Sequence, residues 1–218
     1  MEKDNILEAI KKLKEEGKKR NFSQTYDLII TLRNFNIKKA EYQLEFFVPL
    51  HFSIGKKIKT CAVVGLELKS EAETNCDKVI MASDLDVLMG KKKEIKKLAE
   101  EHDYFIAQAN FMGKLAGVFG KVLGPRGKMP NPKAGCVVSP KTSLKPLIDK
   151  LQKLVKVSTK KAPMIQAIIG KEDMKDEEVA DNILTLYKNV VHNLPNEANN
   201  IKQIKLKLTM GKPVEIKK

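Results

Sequence analysis

The sequence predicts a mixed α/β and α+β protein in which a parallel α/β domain is inserted into a discontinuous, two-layer antiparallel α+β domain. In the middle of the chain, short apolar strands alternate with helices, a pattern typical of parallel βαβ units. The two ends instead combine amphipathic helices with strands of antiparallel character. We therefore assign residues 1–55 and 156–218 to the first domain, and residues 56–155 to the inserted domain.

The N-terminal residues predict one helix followed by two strands. From Asn5 to about Lys19 the apolar residues recur at helical spacing, so this helix has a single apolar stripe that needs a sheet to cover. Aliphatic, aromatic and β-branched residues then predict strands over Ser23–Leu32 and Tyr42–Val48. Pro49 ends the second strand because it has no amide proton to donate.

The middle of the chain predicts buried parallel strands around Cys61, Ile80 and Phe105, in the segments KTCAVVG, KVIMA and YFIAQA. A lysine-rich helix is expected from Lys91 to His102, with its lysines in solvent. The Gly- and Pro-rich segment Leu123–Gly135 predicts an exposed loop, since its prolines lack amide protons and fix φ.

The C-terminal part predicts two helices and two strands. A helix opened by Pro146 is expected to continue to Val155. The elements expected after it are a buried strand over Met164–Ile169, a helix beginning at Asp176 with Val179, Ile183, Leu186 and Val190 on its inner face, and a half-buried strand over Ile201–Gly211.

The chain is strongly basic. It contains 41 Lys and Arg against 27 Asp and Glu, which gives a formal net charge of +14. Such a surplus attracts polyanions, nucleic acid above all, although a solvated lysine-rich surface is the alternative explanation. Residues 56–155 hold 19 basic and 11 acidic side chains, so the inserted domain is the most basic part.

Several classes of protein are disfavoured by what the sequence lacks. The N-terminus has no apolar segment of a secretory signal, and no apolar run is long enough for a membrane helix, so we expect a cytoplasmic protein without a membrane partner. Cys61, Cys76 and Cys136 form neither a CxxC pair nor an even disulfide framework. With only three histidines available, we expect no metal site and no cofactor.

Enzyme motifs are also missing, so we do not expect an enzyme. No GK dipeptide fits the phosphate-binding pattern GxxxxGK[ST], and HExxH, GxSxG and a GxGxxG after a strand are absent. The segment GPRGK at Gly124–Lys128 remains a candidate for a secondary phosphate contact through Arg126 and Lys128. A rigid turn that only sets the chain path is an equally good interpretation.

Four segments of the chain carry a resemblance to a known family: RNFSQTYDLIITL at Arg20–Leu32, KVLGPRGKMPNPKAG at Lys121–Gly135, IIGKEDMKDEEVADNI at Ile168–Ile183, and KLTMGKP at Lys207–Pro213. Together they resemble the ribosomal protein L-one family of the large subunit, in its archaeal form. Their order and separation also resemble that family, so the resemblance covers nearly the whole chain. One departure is PLHFSIGKK at Pro49–Lys57, where many relatives have LPHGRGK, and no RNA contact is carried over from that loop.

The resemblance implies both a fold and a role. It implies that the inserted domain is Rossmann-like, and that the protein is a structural constituent of the large ribosomal subunit. It further implies binding to the stalk of large-subunit rRNA near the exit site for deacylated tRNA, and repression of translation through a similar fold in the protein's own mRNA. We expect a ribosome-associated protein that is a monomer when free.

The resemblance also implies which residues bind RNA. In the family the main contacts come from the start of the first long strand and the end of the last strand, which correspond here to Phe22, Ser23, Gln24 and Thr25, and to Thr209, Met210 and Gly211. Short hydroxyl, amide and backbone groups suit structured RNA, which is recognised through shape and 2′-hydroxyls. Core positions are the alternative for Phe22 and Met210.

Further positions extend this predicted site. Arg20 and Asn21 precede the first cluster, and Lys205 and Lys207 share a strand face with Thr209 by alternation. Gln166 and Gly170 belong to the strand that we expect beside the last one. Two other functional classes stay open on the residues alone, a nucleotide-using or RNA-modifying enzyme and a DNA-architectural protein.

Overall fold

The computed structural model describes residues 2–18, 20–36, 39, 42–159 and 162–217, and the chain divides into two compact units. The first unit combines Met1–Lys56 with Lys153–Lys218, and the second is Lys57–Gln152. The strand Leu154–Ser158, which a boundary after residue 155 would divide, therefore lies wholly in the first unit.

Seven helices and ten strands of the described residues define the fold, besides short 3₁₀ turns. In chain order they are α1 (Lys3–Glu16), β1 (Thr25–Leu32), β2 (Glu45–Pro49), β3 (Thr60–Val64), α2 (Lys69–Asn75), β4 (Lys78–Met81), α3 (Leu85–Leu88), α4 (Lys92–Glu101), β5 (Tyr104–Gln108), α5 (Met112–Arg126), β6 (Val137–Val138), α6 (Lys145–Leu151), β7 (Leu154–Ser158), β8 (Met164–Lys171), α7 (Asp176–Asn193), β9 (Ile201–Leu208) and β10 (Val214–Glu215).

The first unit is built on an antiparallel sheet with the strand order β10-β9-β1-β8, beside a separate antiparallel pair of β2 and β7. Alternate residues of β1, from Tyr26 to Leu32, are buried, as the period of two in a strand requires. This buried face packs with the apolar stripes of α1 and α7 into one core. The predicted inner face of α7 is confirmed, since Val179, Ile183, Leu186 and Val190 are all buried.

The second unit carries a four-stranded parallel sheet with the order β4-β3-β5-β6. Every residue of β3 is buried, as expected for a strand covered on both faces. The prediction of an antiparallel α+β part and a separate parallel α/β part is therefore confirmed.

The predicted exposed loop at Leu123–Gly135 is wrong over its first four residues, which form the last turn of α5. Pro125 lies in that turn, where a missing amide proton costs only one hydrogen bond, and Gly124 before it has no Cβ to clash with the proline ring. Gly127 ends the helix in the left-handed region at φ 65°, and the N–H groups of Gly127 and Lys128 close the turn on Gly124 and Leu123.

Two further boundaries differ from the prediction. The helix that contains Pro146 ends at Leu151, and Leu154 and Val155 belong to β7 instead. This strand is stabilised by β2, more than 100 positions earlier, and a partner that distant leaves no local signal. Helix α1 ends at Glu16, before the predicted end at Lys19, which itself lies outside the described residues.

Candidate nucleic-acid interface

At one end of the antiparallel sheet, the turn after β9 meets the residues that lead into β1. The N–H of Thr25 donates to Oγ1 of Thr209 at 3.0 Å, and the two hydroxyl oxygens are 2.9 Å apart. The N–H of Thr209 donates in turn to the carbonyl of Thr25 at 3.1 Å. The two predicted clusters, separated by 184 positions, thus form one surface. We call Asn21–Thr25 together with Thr209–Gly211 the turn surface.

Gln24 holds the turn surface together from inside. Its side chain is only 2% exposed, and its carboxamide oxygen accepts the N–H of Met210 at 3.1 Å. The N–H of Gly211 donates to the carbonyl of Leu208 at 2.9 Å, and a Cβ at Gly211 would come within 3.2 Å of the Cβ of Leu208. Gln24 therefore shapes the turn, and Gly211 allows its backbone to lie close to the strand.

Phe22 and Met210 project from the turn surface into solvent. Their exposed fractions are 52% and 62%, which rules out the alternative that either is a core residue. Large exposed apolar side chains are unfavourable in water and are available to pack on a sugar or base. Arg20 and Asn21, which precede Phe22, are exposed as well.

The loop between β8 and α7 supports the turn surface, and the sequence did not point to it. The hydroxyl of Ser23 donates to a carboxylate oxygen of Asp173 at 2.5 Å. The N–H of Glu172 donates to the carbonyl of Gln24 at 2.8 Å, and the N–H of Gln24 faces the Glu172 carboxylate at 3.4 Å. These contacts join residues about 150 positions apart, so spacing in the sequence could not reveal them.

Gln166 and Gly170 were expected to lie beside the last strand. That prediction is wrong, because β1 separates β8 from β9. Gln166 is exposed and pairs with Ile29 of β1. Gly170 is buried, and a Cβ there would come within 2.8 Å of the Met174 sulfur. Gln166 therefore belongs to the open face of the sheet, whereas Gly170 packs against the loop that supports the turn surface.

The open face of the sheet also carries Lys205 and Lys207, opposite Ile29 and Asp27 of β1. A shallow groove of about 260 Å³ runs there, lined by Asp27, Gln166 and Lys207 among others. Burial raises the pKa of the Asp27 carboxyl, and the nearby Lys207 ammonium partly offsets that effect. Both lysines are half-buried.

The chain is similar to known proteins over most of its length. The model of the ribosomal protein L1p/L10e family matches residues 10–212. The chain belongs to this family. It is 38% identical over its whole length to large ribosomal subunit protein uL1 of Methanothermococcus thermolithotrophicus, all of which is covered. It is 41% identical to uL1 of Nanoarchaeum equitans, over 96% of this chain and 98% of that protein, which confirms the archaeal character of the resemblance.

Within this member of the family, the GPRGK cations are engaged in the second unit. The Arg126 guanidinium donates to the Glu100 carboxylate at 2.8 Å. The Lys128 ammonium donates to the carbonyls of Ala99 and His102, each at 2.7 Å. A cation at the C-terminal end of a helix donates to its unpaired carbonyls and interacts favourably with the negative end of the helix dipole. Lys128 therefore caps the C-terminal end of α4.

No group of three or more His, Cys, Asp or Glu side chains in the described ranges could hold a metal ion. Among those same residues, no helix has both the length and the apolar character needed to cross a membrane.

Proposed function

We propose that this chain is a non-catalytic component of the large ribosomal subunit in the cytoplasm, and that its turn surface binds the stalk of large-subunit rRNA. Membership of the L1p/L10e family supports the ribosomal role. The observation that carries the RNA-binding role is the turn surface itself, where two distant segments are joined by the Thr25–Thr209 hydrogen bonds and present Phe22 and Met210 to solvent.

The chemistry of the turn surface suits folded RNA better than duplex DNA. Threonine hydroxyl oxygens and backbone carbonyls can accept hydrogen bonds from 2′-hydroxyls, while an exposed thioether and aromatic ring pack on riboses or bases. The surplus of lysine and arginine elsewhere attracts RNA over a longer range. We therefore assign the recognition of RNA to the turn surface and its long-range attraction to the lysines and arginines elsewhere in the chain.

The test is binding of the chain to deproteinised large-subunit rRNA, followed by footprinting. We expect protection of one region, and we expect Met210→Asp and Thr209→Ala to weaken binding to that region about 5- to 150-fold, since one lost contact of this kind costs about 1 to 3 kcal/mol. Met210→Leu keeps the apolar contact and serves as the matched control. Circular dichroism should show that all variants remain folded.

Several results would contradict the proposal. Protection spread over unrelated RNA sites would mean that binding is only electrostatic, and duplex DNA that competes equally would favour a DNA-architectural protein. A large thermal stabilisation by S-adenosylmethionine would favour an RNA-modifying enzyme instead.

We propose two further partners on the same basis. The turn surface would bind a similar fold in the protein's own mRNA and repress translation, and the ribosome-bound chain would lie near deacylated tRNA at the exit site. Competition between the protected rRNA fragment and the mRNA tests the first, because a shared surface makes their binding mutually exclusive. Crosslinking of the ribosome-bound chain to tRNA tests the second, with free chain as the control.

A further inference from the structure

We infer that a cleft beside the turn surface binds one unpaired nucleotide of the bound RNA, with its base or ribose on the floor and its phosphates at the rim. This inference rests on the proposed function and adds a second point of contact to it. The cleft has a volume of about 700 Å³, within the range of about 300 to 1,000 Å³ that is typical of small-ligand sites. It lies between the end of α1, the residues before β1 and the turn after β9.

The floor of the cleft combines an apolar patch with groups that donate and accept hydrogen bonds. Leu13 and Gln24 line it and are almost fully buried. The carboxamide oxygen of Gln24 is used by Met210, whereas its nitrogen forms no hydrogen bond to any residue that the structure describes. Because Gln24 lines the cleft, this nitrogen can donate to an acceptor on a ligand that enters it.

The acceptors come from the end of α1. Its last four carbonyls have no partners within the helix, and Gly17 leaves the helix in an extended conformation, at φ −71° and ψ 123°, without a left-handed cap. Gly17 also fits tightly, because a Cβ there would lie 2.7 Å from the Leu13 carbonyl oxygen. The negative end of the helix and the nearby Glu16 carboxylate suit the amino group of a base or a 2′-hydroxyl rather than a phosphate.

Cations surround this acceptor-rich floor. Lys18, Arg20 and Lys212 line the cleft and are exposed, and none of them forms an ion pair within the described part of the chain. Met210 adds an exposed apolar wall. A polar floor, an apolar wall and a cationic rim match the three parts of a nucleotide, and structured RNA is commonly recognised through unstacked bases.

The rim is tested with full-length Arg20→Ala and Lys212→Ala variants on the rRNA fragment that footprinting defines. Each should lower affinity about three- to tenfold and reduce the slope of log affinity against log salt by about 0.7, the value for one phosphate contact in a single strand. Lys202→Ala, an exposed lysine at the other end of β9, should change neither quantity.

The floor is tested by replacing each unpaired nucleotide of that fragment with an abasic one. One position should lower wild-type affinity about tenfold, and Glu16→Ala should weaken binding to intact RNA but not to RNA that lacks this base. Two results would contradict the cleft inference and leave the proposed function intact. In the first, Met210→Asp abolishes binding while the rim variants keep the wild-type salt slope. In the second, no abasic position changes the effect of Glu16→Ala on RNA affinity. If the wild-type chain binds no rRNA region specifically, the proposed function itself fails.

Discussion

The side chain of Asn182 brackets the backbone of Phe52. Its carboxamide oxygen accepts the N–H of Phe52 at 3.0 Å, and its nitrogen donates to the carbonyl of Phe52 at 3.2 Å and to that of Ile169 at 3.1 Å. Asn182 is completely buried. One side chain of α7 therefore ties the segment after β2 to β8 in the core of the first unit.

We predict that Asn182→Ala destabilises the protein by about 2 to 3 kcal/mol, because it leaves three backbone groups without their partner. Urea unfolding measures the loss. Asn193→Ala is the matched control, since that exposed side chain donates only to the carbonyl of Asn189 four residues earlier, and its removal should cost less than about 0.5 kcal/mol. Equal losses of unfolding free energy in the two variants would show that the three hydrogen bonds of Asn182 contribute no stability.

A second prediction concerns the end of α5. Gly127 has φ 65°, so Gly127→Ala forces an L-residue into the left-handed region and should destabilise the protein by about 1 kcal/mol. Gly117 lies in the exposed middle of the same helix with open space around it, so Gly117→Ala should raise stability by about 0.5 to 1 kcal/mol. Thermal unfolding would contradict this account if both substitutions moved the midpoint in the same direction.

The third prediction follows from the buried thiols. Burial raises the pKa of Cys61 to about 12 and that of Cys136 to about 11, and it also raises the pKa of the half-buried Cys76. At pH 8 the folded protein therefore holds its thiols protonated and should react slowly with a disulfide reagent, Cys76 first, whereas all three should react promptly in guanidinium. Cys76→Ser should remove the faster phase and no other.

The raised pKa values of the thiols predict the direction in which the free energy of unfolding changes at alkaline pH. The unfolded thiols ionise near their ordinary value of 9.0, before the folded ones, so the folded state binds more protons above that pH. The free energy of unfolding should therefore fall as the pH rises above about 9. Replacing Cys61 with Ala would lessen this dependence, and an unchanged slope would count against burial as its cause.

Local periodicity predicted the elements whose pattern is complete within one segment. Helix α7 repeats its apolar residues over five turns, and β1 is rich in β-branched, aromatic and aliphatic residues, so both were predicted close to their observed bounds. Helix α5 was missed although Leu115, Phe119 and Leu123 recur at helical spacing, because its glycines and Pro125 resemble turn chemistry. Strand β7 was mistaken for helix because only its pairing with β2 decides its conformation.

Part of the candidate site could be predicted from the sequence, and part could not. The residues of the turn surface were predicted from resemblance, and no spacing in the sequence shows that Thr25 and Thr209 meet. The supporting contacts of Glu172 and Asp173, and the cleft formed with Lys18 and Lys212, depend on how α1, β8 and β9 come together. Tertiary packing alone creates such sites, so sequence patterns could not predict them.

The last prediction separates stability from recognition at Thr209. Thr209→Val keeps the shape of the side chain but removes the acceptor of the Thr25 N–H and the partner of the Thr25 hydroxyl, so it should lower the free energy of unfolding by about 1 to 2 kcal/mol. Thr209→Ser retains the hydroxyl and should cost less than about 0.5 kcal/mol. If the hydroxyl also contacts RNA, Thr209→Val should weaken RNA binding at temperatures where the variant is fully folded, whereas Thr209→Ser should bind nearly as the wild type does. Equal RNA affinity of both variants under those conditions would restrict Thr209 to a structural role and leave Phe22 and Met210 as the contacts of the turn surface.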